Sequence, residues 1–267
     1  MLEERNYKRM GSITNDIYII FLDVDGTIYE DGEILDKTVN ALIKAKACGN
    51  KVFLNSGRMQ CIIPHTVLEK VRPDGVVGGM GTAITIGNEL IFSACMDRDE
   101  VEYLMRFGEK RGFFTIAESA NRLVIMNGRE IQGQKSFVNT TDEFLEKYRD
   151  MPVAKISYMN PVSADDVKVL MEDGRVIYVH SGYVEIPARG CNKATGIKIV
   201  CDHLGADVER SIAIGDSAND DDMIKFAGIG VAMGNANEYI KSIADYVTSS
   251  CSEGGVADAI EALIINR

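Results

Sequence analysis

Residues 17–28 read IYIIFLDVDGTI, a short apolar run that ends abruptly at two carboxylates, Asp23 and Asp25. A continuous apolar run of this length, bounded by polar residues, predicts a strand buried on both faces. An amphipathic helix pattern follows at about residues 36–48, and a second strand is expected at residues 51–54. A strand, a helix and a strand at this spacing predict a right-handed βαβ unit, and therefore a parallel sheet.

The last third of the chain repeats this alternation, with strands expected at residues 211–214 and 229–232 beside further helix patterns. Between the two blocks the pattern changes to a hairpin and short strands that alternate with helices, which is typical of an α+β unit with a largely antiparallel sheet. We therefore expect an α/β protein. Its doubly wound, Rossmann-like parallel-sheet core would comprise residues 1–82 and 187–267, and an inserted α+β cap domain would comprise residues 83–186.

Composition and charge narrow the class of partner. The chain has 29 Lys and Arg residues against 40 Asp and Glu residues, a formal net charge of −11. Such an acidic surface repels nucleic acid and anionic lipid, so a small-molecule partner is favoured. The six cysteines are scattered without a C-x-x-C pair, and the longest early apolar run, residues 17–22, is too short to cross a bilayer. We expect a cytoplasmic protein, and the sequence leaves its oligomeric state open.

Polar residues stand directly after three of the expected core strands, and a lysine opens a helix of the same block. Because ligands of open parallel sheets bind beyond the carboxyl ends of the strands, we expect these side chains to converge on one rim. Clustered carboxylates stay ionised at short range only around a cation, and Mg²⁺ prefers such hard oxygen ligands. The residues are Asp23, Asp25, Gly26 and Thr27; Ser56 and Gly57; Lys193; and Asp216 with Asn219 and Asp220 behind it.

These residue types suit the transfer of a phosphoryl group. The carboxylate of Asp23 is a competent nucleophile toward phosphorus and would give an aspartyl-phosphate that water then opens. Asp25, two residues further along an extended segment, is placed to protonate the leaving oxygen and later to deprotonate the attacking water. The hydroxyl of Ser56 and the N–H of Gly57 can hold phosphate oxygens, and Lys193 supplies a compact positive charge.

Each stretch also has an ordinary structural interpretation. An isolated D-x-D-G at a strand end is commonly a turn, Lys193 alone is more often a solvated helix residue, and an Asn-Asp pair after a strand often caps a helix. The functional interpretation depends on all of these features occurring in one order at element ends.

The same stretches resemble the haloacid dehalogenase superfamily, and most closely its Cof-type phosphatases of subclass IIB. The match is strong over about the first 82 residues and again over residues 184–263, and it is weak between them, where this branch carries a variable cap domain. The four stretches that match the family's motifs in order are FLDVDGTI at 21–28, NSGR at 55–58, Lys193, and GDSANDDDM at 215–223.

The resemblance implies a phosphoric monoester hydrolase that acts on a small phosphorylated metabolite, such as a sugar phosphate, a phosphorylated cofactor or a nucleotide. It implies that Asp23 is the nucleophile and Asp25 the acid/base, and that Mg²⁺ is held by Asp23, Asp216 and the main-chain carbonyl of Asp25. Carbon–halogen hydrolysis is disfavoured, because the family's dehalogenases lack the second Asp and the metal. The remaining implied roles are phosphoryl binding by Ser56 and Lys193, and support of phosphate and metal by Asn219 and Asp220, respectively.

Two other functions use similar residues. A phosphomutase would employ the same Asp23 chemistry but return the phosphoryl group to its substrate. A receiver-like signalling module would keep the phosphorylated aspartate as its message, although such modules lack a counterpart of Asp25 and a hundred-residue insertion. A catalytically silent binding protein would require the loss of one of the acidic residues or the lysine, and all are present.

Polar residues of the insertion are candidates for contact with the leaving group of the substrate. For each of them taken singly, a solvated loop position is the simpler interpretation, and His180 could equally cap its strand. The candidates are Arg122, Asn127, Arg129, Lys135 and His180.

Overall fold

A computed structural model describes residues 17–131, 134 and 136–265. The chain divides into two compact units. Unit 1 comprises Met1–Asn55, His65–Gly75 and Ile197–Arg267, and unit 2 comprises Ser56–Pro64 and Val76–Gly196. The domain boundaries expected at residues 82 and 187 stay a prediction.

Fourteen strands and nine α-helices lie in the described part of the chain. The strands are β1 (Ile19–Leu22), β2 (Lys51–Asn55), β3 (Gly75–Gly78), β4 (Ala83–Ile86), β5 (Glu89–Ser93), β6 (Thr115–Ser119), β7 (Arg122–Met126), β8 (Phe137–Val138), β9 (Lys155–Tyr158), β10 (Tyr178–Val179), β11 (Val184–Pro187), β12 (Ser211–Gly215), β13 (Ile229–Ala232) and β14 (Tyr246–Val247). The helices are α1 (Asp36–Ala47), α2 (His65–Val71), α3 (Arg98–Arg111), α4 (Thr141–Lys147), α5 (Ala164–Met171), α6 (Lys193–Leu204), α7 (Asp221–Phe226), α8 (Glu238–Ile243) and α9 (Gly255–Ile260). None of these helices is long and apolar enough to cross a membrane.

Unit 1 is built on a parallel sheet in which β14, β13, β12, β1 and β2 lie side by side in that order. Ile20 at the centre of β1 is opposite Val52 of β2 and Ile212 of β12, and all three side chains are buried. Such strands are apolar throughout because both faces of a parallel sheet are covered. The expected α/β fold with a parallel-sheet core is confirmed.

Helix α1 packs against α9, also in unit 1. Its buried residues Thr38, Ala41, Leu42 and Ala45 follow the spacing i, i+3, i+4, i+7 and therefore lie on one helix face. Gly49 follows in the left-handed region, with φ of 92°, and allows the chain to turn into β2.

Unit 2 contains a six-stranded sheet in the order β10-β11-β9-β6-β7-β8, in which every pairing except β7–β8 is antiparallel. Apolar side chains of α3, α4 and α5 pack against one face of it, with Leu104, Phe144 and Leu170 fully or almost fully buried. The opposite face is partly polar, since Glu118 of β6 is opposite Lys155 of β9. The expected antiparallel hairpin is formed by β4 and β5.

Candidate active site

Three carboxylates of unit 1 meet beyond the ends of two adjacent strands. Asp23 follows β1, and Asp216 follows β12, which pairs with β1 in parallel register. One carboxylate oxygen each of Asp23, Asp216 and Asp220 lies within 4.8 Å of the other two. Asp23 and Asp220 are buried and Asp216 is partly exposed. The sequence-predicted convergence of these three side chains is therefore present in the structure.

The turn after β1 is shaped around the Asp216 carboxylate. Thr27 Oγ1 donates a hydrogen bond of 2.8 Å to Asp216 Oδ1. Gly26 has φ of 77°, and a Cβ built at this position would lie 2.5 Å from Asp216 Oδ2. Gly26 is thus required both for the left-handed backbone and for the space that the carboxylate occupies.

Asp220 orders the loop that carries Asp216. Its Oδ2 accepts the backbone N–H groups of Asp216 and Ser217, both at 2.9 Å. A carboxylate that accepts two backbone N–H groups is held in one orientation. This arrangement suits the supporting role implied for Asp220, although one of its oxygens also belongs to the three-carboxylate group.

The other two unit 1 candidates lie beside this group. Asn219 is buried, and its Oδ1 accepts a hydrogen bond of 2.9 Å from Ser217 Oγ. Asp25 is exposed, and its backbone forms an isolated parallel bridge with Tyr29. The structure does not include the Asp25 side chain in the carboxylate group, and the implied metal contact through its main-chain carbonyl stays a prediction.

The remaining candidates, Ser56, Gly57 and Lys193, belong to unit 2. Ser56 N donates to the Val77 carbonyl at 2.9 Å, and its Oγ accepts the N–H of Arg58 at 3.2 Å. Lys193 opens α6 with 0 % of its surface exposed, so its alternative interpretation as a solvated helix residue is wrong. The roles of these three residues as phosphate ligands stay predictions.

The donor set of the carboxylate group fits a hard divalent cation. All three donors are carboxylate oxygens, which Mg²⁺ and similar ions prefer over the softer nitrogen and sulfur donors. Three carboxylates this close repel one another when ionised, and a cation among them removes that repulsion. The structure therefore supports a metal site at this rim.

Sequence reasoning missed a buried ionic cluster in unit 2. Lys155 Nζ lies 2.6 Å from Glu185 Oε1 and 3.2 Å from Glu118 Oε1. Burial alone would lower the pKa of Lys155, but the charges of the two glutamates outweigh it and raise the pKa above its ordinary value. Burial would raise the pKa of Glu185, but Lys155 and then His180 lower it well below its usual range. A charged residue between apolar neighbours, as in VEIP at residues 184–187, is the sequence signal that could have revealed the cluster.

The residues suggested for contact with the leaving group lie in different surroundings, and that role stays a prediction. His180 Nε2 lies 3.1 Å from Glu185 Oε2 and its ring stacks on Tyr183, so it belongs to the ionic cluster. Arg122 and Arg129 are exposed, and Asn127 is exposed with Nδ2 donating to the Phe113 carbonyl. Lys135 lies outside the described residues.

Comparison with known proteins identifies similar sequences across almost the whole chain. A family model for haloacid dehalogenase-like hydrolases matches residues 20–260. The putative phosphatase YkrA of Bacillus subtilis is 27 % identical over 256 residues, covering 93 % of this chain and 98 % of that protein. The 5-amino-6-(5-phospho-D-ribitylamino)uracil phosphatase YcsE of the same organism is 29 % identical over 257 residues, covering 92 % and 95 %.

Solved structures of haloacid dehalogenase-like proteins superpose on almost the whole chain. The subclass IIB sugar phosphatase BT4131 superposes with a TM-score of 0.82 at 26 % identity, covering 92 % of this chain and 98 % of that one. A haloacid dehalogenase-like hydrolase from B. subtilis superposes with a TM-score of 0.83 at 23 % identity, covering 93 % and 100 %, which shows a shared fold.

Proposed function

This chain belongs to the haloacid dehalogenase-like hydrolases, as a Cof-type phosphatase of subclass IIB that hydrolyses phosphoric monoesters, and we propose that it acts on a small phosphorylated metabolite through an aspartyl-phosphate at Asp23. The observation that carries the mechanism is the position of Asp23 in the group with Asp216 and Asp220. A buried carboxylate among other carboxylates has its charge balanced by a cation, and the same cation would balance the anionic phosphate.

In the proposed reaction, a carboxylate oxygen of Asp23 attacks phosphorus while the bond from phosphorus to the leaving oxygen breaks. Asp25 gives its proton to that oxygen, so the alcohol leaves neutral. A water molecule then gives a proton to Asp25 and attacks phosphorus, the bond to Asp23 breaks, and inorganic phosphate is released. The side chain of Asp25 is exposed, which suits exchange of protons with substrate and water.

Mg²⁺ is the proposed cofactor, held by Asp23, Asp216 and the main-chain carbonyl of Asp25, and it would withdraw charge from the transferring group. Asp220 would keep the Asp216 loop in place through its two N–H contacts. By the family's motifs, Ser56, Gly57 and Lys193 would bind phosphoryl oxygens, with support from Asn219.

The proposed substrates are sugar phosphates and related phosphorylated metabolites. YcsE and BT4131 are named for a ribitylamino-uracil phosphate and for sugar phosphates, respectively. We also place the reaction in the cytoplasm, in keeping with the free thiol state of all six cysteines.

The proposal is tested by measuring phosphate release over a panel of sugar phosphates, phosphorylated cofactors and nucleotides, with Mg²⁺ and with EDTA. We expect release from at least one class, which EDTA abolishes. Isomerised sugar phosphate without net release would favour the phosphomutase. The receiver-like module is not supported by membership in a hydrolase family, and a phosphoenzyme that survives for minutes would be needed to restore it.

A further inference from the structure

Lys155 is enclosed by three acceptors inside unit 2. Its Nζ lies 2.6 Å from the Gly57 carbonyl oxygen, 2.6 Å from Glu185 Oε1 and 3.2 Å from Glu118 Oε1. Only 3 % of its surface is exposed. An ammonium has three N–H donors, so these three contacts use all of its donors and fix its position.

Through the Gly57 carbonyl, Lys155 contacts the Gly57–Arg58 peptide group, and the N–H of the same peptide group donates to Ser56. The carbonyl of Gly57 and the N–H of Arg58 belong to one planar trans peptide and point in opposite directions. The Arg58 N–H donates to Ser56 Oγ at 3.2 Å. When Lys155 holds the carbonyl end of this plane, the N–H end is directed at the hydroxyl oxygen. A hydroxyl that accepts in this way has its own proton turned toward another acceptor.

We propose that Lys155 is a positioning residue: it fixes the Gly57–Arg58 peptide so that the Ser56 hydroxyl is set as a donor to a phosphoryl oxygen. The last step rests on the proposed function. The placement of the peptide itself does not.

Neighbouring residues hold the two glutamates that contact Lys155 in place. A Cβ at Gly57 would lie 2.8 Å from Glu185 Oε1, so the glycine lets Glu185 approach the loop closely. Glu185 is held on its other oxygen by His180 at 3.1 Å. Ser157 Oγ donates to Glu118 Oε1 at 2.6 Å and holds the second glutamate. Apolar residues of similar size would stabilise the interior at less desolvation cost than these charges, but they could not bind a carbonyl oxygen.

The kinetic test uses a pair of changes that keeps the net charge, Lys155→Met with Glu185→Gln; Glu118 then keeps its hydrogen bond from Ser157. With p-nitrophenyl phosphate and Mg²⁺, we expect kcat/KM to fall roughly tenfold, the order of one misplaced hydrogen bond. In a Ser56→Ala background the same pair should lower kcat/KM by less than about twofold, because its target has been removed. Equal losses in both backgrounds would show a general structural effect and overturn the proposal.

A matched control is available in the same unit. Arg175 is also a buried cation, with Glu100 and Asp173 as partners at 3.1 and 2.9 Å. The pair Arg175→Met with Glu100→Gln therefore removes an ion pair of another buried cation in the same unit. It should lower kcat/KM by a similar factor with and without Ser56→Ala.

The second readout is hydrogen exchange of the Arg58 amide, followed by NMR on the full chain. We expect exchange to be about tenfold faster in the Lys155→Met/Glu185→Gln protein than in the Arg175→Met/Glu100→Gln protein. Equal exchange rates would overturn the proposal whatever the kinetics. If the wild-type protein released no phosphate from any monoester, the proposed function would fail, and the exchange rate alone would decide the placement of the peptide.

Discussion

The backbone N–H of Asp23 donates to the carbonyl oxygen of Ile214 at 3.0 Å. The ladder between β1 and β12 therefore continues past the last paired residues, Leu22 and Ile214, up to the proposed nucleophile itself. A hydrogen bond of the sheet therefore fixes the backbone of Asp23. Asp216 lies two residues after Ile214, which accepts this bond, and directly follows β12. A rigid parallel sheet is thus what brings two residues 193 positions apart in sequence into one carboxylate group.

Replacing Asp23 by Asn should abolish phosphate release while the fold persists, because a neutral amide is a poor nucleophile toward phosphorus. Release of inorganic phosphate and circular dichroism measure the two effects. Asp202→Asn, at an exposed carboxylate paired with Lys198, is the control and should retain full activity. Substantial turnover by the Asp23→Asn protein would exclude this residue as the nucleophile.

Replacing Asp25 by Asn should slow turnover by about 10²- to 10⁴-fold, the usual contribution of a general acid and base. If the second half-reaction suffers more, phosphoenzyme accumulates and is measured after acid quenching with labelled substrate. Normal turnover in this variant would assign the proton transfers to another group.

Replacing Asp216 by Asn should raise the Mg²⁺ concentration needed for half-maximal activity by at least about tenfold, because one charged donor of the carboxylate group is lost. A Mg²⁺ titration of phosphate release measures this. Asp221→Asn, on α7 where the carboxylate pairs with Lys225, is the control. An unchanged Mg²⁺ requirement in the Asp216→Asn protein would remove Asp216 from the metal site.

Replacing Gly26 by Ala should both destabilise the protein and disturb the site. The new Cβ meets Asp216 Oδ2 at 2.5 Å in addition to the strain of a positive φ. Gly32→Ala isolates the strain, since φ there is 87° and nothing lies within 4 Å of the built Cβ. We expect a loss of about 1 kcal/mol of unfolding free energy for Gly32→Ala and more for Gly26→Ala, with activity lost only in the latter. Urea unfolding and phosphate release measure the two effects.

The buried pair of Lys155 and Glu185 predicts a particular pH dependence of stability. The pKa of Glu185 is lowered in the folded state. The ionised carboxylate therefore contributes to the free energy of unfolding in full above pH 4.5, the ordinary pKa of a glutamate, and this contribution is lost as the pH falls from 4.5 toward the lowered pKa. Glu185→Gln should therefore cost about 3 kcal/mol near neutral pH, and the difference from wild type should shrink as the pH falls below 4.5. Urea unfolding at several pH values measures this.

Glu143→Gln is the control for this pH series, because Glu143 pairs with Lys147 at the surface of α4. Its effect should be much smaller at every pH. A difference between Glu185→Gln and wild type that stays constant down to pH 3 would refute the coupling to Lys155.

The sequence predicts the elements whose pattern is local. The apolar run of β1 and the helix α6, which begins at Lys193 as expected, depend on the local pattern of apolar residues and not on distant contacts. Strand β11 was not predicted, because Glu185 and Pro187 interrupt its apolar pattern, and they are accommodated only by tertiary contacts.

The candidate site divides in the same way. The positions after the strands predict that Asp23, Asp216 and Asp220 converge, whereas the two backbone N–H groups that Asp220 accepts are seen only in the structure. The contact of Lys155 with Gly57 spans 98 positions and joins a strand to a loop, so no sequence period encodes it.

The assignment of Ser56–Pro64 to unit 2 matters for building chimeras between related phosphatases. Met59 and Ile62 of this segment share an apolar cluster with Ile116 and Leu123 of the six-stranded sheet. A transplant of residues 83–186 alone would combine a six-stranded sheet from the relative with residues 56–64 of this chain. It would disrupt both that apolar cluster and the contact of Lys155 with Gly57. Grafts that carry residues 56–64 along with the insertion should give well-folded hybrids far more often, and only those hybrids would report substrate preference cleanly.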